Sequence, residues 1–164
     1  MKRTILAILV GLIGGNLVCM APALAASGSS VFIAQCAVCH QPDAKGVEGI
    51  YPPLAGSIGN YVKLKQGREY VVRVPSFGLT GPIKVHGEEF SSTMPPLSQL
   101  SDEDIAAALN YVLTHFNQSL LPKDFKPLTA DEVKGYRAAS MSEEQVHAER
   151  GKLMAALKQA GDLK

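Results

Sequence analysis

The sequence lacks an excess of charge of either sign: 16 Lys and Arg stand against 15 Asp and Glu, a formal net charge of +1 over 164 residues. The basic balance that a nucleic-acid partner calls for is therefore absent. Runs of like charge are absent too, so no disordered interaction tail is expected. Cysteine is scarce, at three. The βαβ pattern that should surround a redox-active dithiol is missing, and no second Cys/His cluster is available to complete a tetrahedral zinc site.

A long apolar run occurs only at the N terminus. Residues 1–25 carry Lys2 and Arg3, an apolar run over residues 4–20, and the small-residue cleavage site Ala23-Leu24-Ala25. This pattern reads as a secretory signal peptide. The competing reading is a retained membrane anchor, but the run sits near the lower limit of about 17 residues for a span and contains three glycines. Cys19 lies inside the segment, and Val18 before it departs from the small residue that a lipoprotein signal wants. Membrane contact is therefore expected only through this segment, if it is not cleaved.

What is present is the stretch FIAQCAVCHQP, residues 32–42, with Cys36, Cys39 and His40. A disulfide or a zinc site would use these residues incompletely. A C-x-x-C-H haem attachment site needs nothing more: both sulfurs bond to the porphyrin vinyl groups and the adjacent histidine ligates the iron. For the other face of the iron, Met94 sits in FSSTMPPLSQLSDED, where Pro95 and Pro96 fix φ and keep the segment from becoming helix. A core filler is the usual fate of methionine, but nothing here has helical periodicity, and Met94 reads as the distal ligand. A His40/Met94 pair fills both axial sites and raises the reduction potential, as suits an electron carrier. His86, eight positions before Met94, is a rival ligand, while His115 and His147 read as solvent-facing.

These residues carry a resemblance. The chain resembles class I c-type cytochromes, specifically the bacterial single-haem forms that accompany periplasmic dehydrogenases, nitrite reductases and terminal oxidases. Four landmarks match in order over residues 28–117: Phe32 four positions before Cys36, YPPLAGS after the haem motif, TMPPLSQLSDEDI around Met94, and AAALNYVLTHF closing the domain. The resemblance implies an all-α class I cytochrome c fold around one covalent haem c. It assigns the carbonyl that orients His40 to Pro52, with Pro53 as fallback, places Leu54 on the haem face, and crosses the first helix with Tyr111 and Val112 near Phe32. The expected partners are redox proteins: a periplasmic dehydrogenase, reductase or terminal oxidase.

Local signals fill in the elements. Ser29 or Ser30 should cap the first helix, and Ser101 with Asp104 should start the last helix of the body, where Ile105, Leu109, Val112 and Phe116 recur at helical spacing. Residues 60–72 read as one helix, and IKVHGEEF as a short hairpin about His86-Gly87. Arg68, Arg73 and Tyr70 are candidates to meet the haem propionates. Beyond the body, at residues 26–118, residues 119–164 form a proline-bracketed linker and two helices, the first opened by a capping box of Thr129 with Glu132 and the second started by Ser142 with Gln145. The thin apolar stripe of Val146, Leu153 and Leu157 is too little for a separate core, so this extension either wraps onto the body or docks on a partner enzyme. The whole predicts a periplasmic one-electron carrier. The alternatives are a haem-bearing subunit of a dehydrogenase complex, and a haem enzyme or gas sensor with an open distal site.

Overall fold

The structure, a computed structural model, describes residues 27–163. The segment read as a signal peptide, with Cys19, lies outside the described residues. The first helical stretch is continuous: α1 (Gly28–Val31), a π turn (Phe32–Cys36) and α2 (Ala37–His40). Its cap is Ser27, whose Oγ accepts from Ser30 N at 3.2 Å, rather than Ser29 or Ser30. The start is displaced because Gly28 must be helical to pack on the closing helix of the body: a Cβ at this position would collide with the Ala107 carbonyl and touch Tyr111. Phe32 is fully buried there, with ring centroids 5.6 Å from Tyr111 and 5.4 Å from Phe116.

The single helix expected over residues 60–72 is two elements, a 3-10 turn at Tyr61–Lys63 and α3 (Lys65–Phe77), separated by Leu64 in extended backbone. The bend lets the turn fold back onto α3, where Gly67 lies against the Tyr61 backbone. α3 also continues through Pro75, whose missing N–H removes one bond from the last turns. Burial of Tyr70, Val71 and Val72 outweighs that loss. The hairpin forms as read: β1 (Ile83–Val85) and β2 (Glu88–Phe90) pair antiparallel with Val85 opposite Glu88, and His86 and Gly87 take positive φ of 53° and 87° in a turn that matches strand twist.

α4 (Asp102–Phe116) is capped by Ser101 Oγ, which accepts from Asp104 N at 3.1 Å, with three acids in its first turn to favour the positive end of the dipole. α5 (Ala130–Arg137) and α6 (Glu143–Gln159) follow a 3-10 turn at Gln118–Leu120. Ser142 and Gln145 form the reciprocal capping box. At Thr129 only half of the box exists, since the Glu132 carboxylate is bonded to Arg68 instead of reaching back. The extension does wrap. α6 packs on α3, α5 packs on α3 and α4, and Val133, Val146, Leu153 and Leu157 are buried in one core with Tyr70, Val72, Ile105 and Leu113. The fold is all-α with a small two-stranded insertion.

Candidate functional site

α2 ends at His40, where Gln41 takes φ 65° and turns the chain. The loop then returns beneath the helix, pinned by Leu54 N and Ala55 N, which donate to the Ala44 carbonyl at 2.8 and 2.9 Å. This return puts the Pro52 carbonyl 2.9 Å from His40 Nδ1. A carbonyl only accepts, so Nδ1 carries the proton and Nε2 keeps its lone pair. Burial holds His40 below the ordinary imidazole range, with the Pro52 hydrogen bond pulling the other way. The side chain is thus oriented with Nε2 free to act as a lone-pair donor. The Pro53 carbonyl accepts from Ser57 Oγ at 2.6 Å.

His40, Cys36 and Cys39 line one apolar cavity with Pro52, Leu54, Ile58, Tyr61, Tyr70, Leu79, Phe90, Leu100, Ile105 and Leu109. Both thiols are free, and burial pushes the Cys36 thiol up to about 11, so its sulfur stays uncharged. Met94 lines the same cavity. Its backbone is clamped by a pair of 2.9 Å hydrogen bonds with Leu79, one in each direction, and Leu97 N donates to the Pro75 carbonyl at 2.8 Å to hold the loop beyond. The clamp needs a glycine at Gly78, where φ is 83° and a Cβ would lie 2.8 Å from the Met94 carbonyl. The loop therefore presents Met94 by backbone pairing to the end of α3.

Of the other histidines, His86 lies exposed at the hairpin tip, with Nε2 3.1 Å from the Gly56 carbonyl, and does not line this cavity. His115 is exposed and stacked on Tyr111. His147 corrects its reading as solvent-facing: it is half-buried against Gly81 and donates through Nε2 to the Pro82 carbonyl at 2.8 Å, because α6 covers the hairpin's entry strand.

Arg68 and Arg73 are corrected as well. Arg68 forms a two-pronged pair with Glu132, both contacts at 2.7 Å, and Arg73 pairs with Glu149 at 2.6 Å and Glu69 at 3.2 Å. Both face the extension and neither lines the cavity. Tyr70 does line it, and burial pushes its phenol up to about 12. The cation that reaches the cavity is Arg150 of α6, at 6% exposure. It escaped the sequence reading because it sits far along the chain, yet a signal existed: Val146, Arg150, Leu153 and Leu157 share one helical stripe, and a cation within an apolar stripe needs an explanation.

Residues 25–116 match the family model described as cytochrome c. The chain belongs to the cytochrome c family. Over 153 residues it is 43% identical to cytochrome c-552 of Thermus thermophilus, which spans 93% of this chain and 98% of the relative. A second Thermus thermophilus cytochrome c-552 is 44% identical over 128 residues, 78% of this chain and 97% of that one. The cytochrome c subunit of a quinone alcohol dehydrogenase from Gluconobacter oxydans is 31% identical over 87 residues, 52% of this chain and 17% of the subunit. A cytochrome of this family bears covalently bound haem c and transfers electrons. The donor set fits that group: two uncommitted sulfurs, one of them held neutral, beside a neutral imidazole with a free Nε2, on an apolar cavity.

Proposed function

We propose that this cytochrome is an exported, periplasmic single-electron shuttle in which Cys36 and Cys39 attach the haem and His40 Nε2 and Met94 Sδ take the two axial positions. What supports this most is that a carbonyl-oriented His40 and a backbone-clamped Met94 line the same apolar cavity as both cysteines. Bound there, the haem supplies the one-electron couple. The chain supplies the rest. Pro52 and Leu54 hold and cover the histidine side, and the thioether of Met94 favours the reduced iron. With both axial donors held by backbone bonds, neither has to move between oxidation states. With both positions filled, no site is left for peroxide or a diatomic gas.

Partner contact would take place around the cysteines. Ile33 and Val38, on the same helical stretch, and Ile50 are exposed large apolar residues at 51%, 74% and 47%. So little exposed apolar surface suits the brief, low-area encounters of redox carriers. The likeness to a dehydrogenase cytochrome subunit favours a second reading, a resident haem subunit of such an enzyme. Against docking through the extension, its apolar residues are already inside the cytochrome's own core.

Absorption spectra of the haem-loaded protein test the proposal. A low-spin reduced spectrum unmoved by carbon monoxide is expected, together with a weak oxidised-state sulfur-to-iron band that disappears in Met94→Ala. Ready carbon monoxide binding by the unaltered protein, or a Met94→Ala spectrum identical to it, would reject His/Met ligation and favour an enzyme or sensor.

A further inference from the structure

We propose that Arg150, carried by the C-terminal extension, is the internal counter-ion of a haem propionate and through that pair sets part of the reduction potential; this rests on the haem reading of the cavity. Among the described residues lining the cavity, Arg150 is the one side chain of the Lys, Arg, Asp and Glu types. It is buried, and its contacts are all neutral. Nη1 donates to Tyr61 Oη at 3.1 Å, Nη2 donates to the Lys84 carbonyl at 2.8 Å, and the guanidinium carbon stands 5.7 Å from the centre of the Tyr61 ring.

The molecule treats its other described arginines differently. Arg68 is paired with Glu132, Arg73 with Glu69 and Glu149, and Arg137 with Asp102 at 2.6 Å. All three are more exposed than Arg150, which forms no ion pair among the described residues. The nearest acid in sequence, Glu149, is committed to Arg73. A guanidinium does not shed its proton, and burying it without an anion is costly. Five N–H donors on a plane match a carboxylate edge to edge, and the protein meets them here only with neutral oxygens: the Tyr61 hydroxyl, the Lys84 carbonyl and the neighbouring Tyr70 hydroxyl. The carboxylates that haem brings into an otherwise apolar cavity are its propionates. The Tyr61 ring and the Lys84 carbonyl then act as the jig that orients the fork, and α6 becomes part of the site.

Electrostatics gives the consequence a sign. An unopposed propionate charge favours the oxidised, more positive iron, so removing the guanidinium lowers the potential. In the haem-loaded full chain, Arg150→Met is expected to move the oxidised-to-reduced ratio at fixed poise roughly tenfold toward oxidised, which is about 59 mV for one electron. Arg150→Lys keeps the charge and should keep most of the potential. If Arg150 is only a strut between α6, Tyr61 and β1, both variants lose thermal stability while the potential stays put, and the proposal falls. Should Arg150→Met not fold, the unaltered reduced protein still decides: nuclear Overhauser contacts between assigned Arg150 guanidinium protons and propionate methylenes are expected, and their absence overturns the pairing. A purified protein with no c-type absorption would overturn the haem reading and this proposal together, and it would be seen before any variant is made.

Discussion

Asn117 sits at 1% exposure with its amide fully engaged: Nδ2 donates to the Leu54 and Val112 carbonyls, each at 3.0 Å, and Oδ1 accepts from Gly59 N at 3.1 Å. These bonds stitch the loop carrying Pro52 and Leu54 to the end of α4. Asn117→Ala would leave buried partners unsatisfied, and a loss of about 2 to 4 kcal/mol is expected in denaturant unfolding of the haem-loaded protein. Asn117→Asp should lose at least as much, since a carboxylate cannot donate to either carbonyl. A loss below about 1 kcal/mol for the alanine variant would mean that the loop is anchored elsewhere. The proposed haem-binding residues Cys36, Cys39 and His40 were legible in the sequence because a C-x-x-C-H motif is defined by fixed local spacing. Asn117 and Arg150 were not, since Asn117 meets Gly59 across 58 positions and Arg150 meets Tyr61 across 89.

At the scale of elements, α5 is held to α3 by the Arg68–Glu132 pair, which also takes a 2.9 Å hydrogen bond from Tyr136 Oη. The Arg68 hydrogen bonds hold the Glu132 carboxyl below its usual range. A carboxyl depressed on folding contributes stability above its unfolded value, about 4.3, and loses that contribution as pH falls through the folded value. Glu132→Gln should therefore be less stable than the unaltered protein at pH 7, by about 1 kcal/mol for a partly exposed pair. The gap should close as pH drops below about 4, read from chemical unfolding at stepped pH. A gap independent of pH would show that the charge contributes nothing. The same pair leaves the expected capping box at Thr129 half-made. Thr129 with Glu132 has the letters of the box, but Arg68, 64 positions earlier, takes the carboxylate. Ser142 with Gln145 has no such competitor and closes fully.

Over the whole molecule, the extension is part of the body. Leu128, Val133, Val146, Leu153 and Leu157 are each at 3% exposure or less. Burial of five such side chains, at about 1.5 to 3 kcal/mol each, is comparable to the roughly 5 to 15 kcal/mol that keeps a domain folded. Deleting residues 119–164 is expected to abolish the cooperative thermal transition, followed by circular dichroism. A truncated protein that melts at the unaltered temperature would return the extension to the role of a docking arm. The formal net charge of +1 implies little long-range steering.

The sequence by itself determined the C-x-x-C-H motif, the hairpin at His86-Gly87 and the helix starts at Ser101, Thr129 and Ser142, because each depends on residues within a few positions of one another, and the family resemblance those motifs carry implied the all-α class. It could name the two ways the extension might go, since a thin apolar stripe says only that something must cover it. Tertiary structure decided the rest: that the covering surface is the cytochrome's own core, that Arg68 and Arg73 face the extension, and that Arg150 enters the cavity. Those outcomes depend on which distant surfaces meet, and a buried charge or an apolar stripe finds its partner only when the chain has closed on itself.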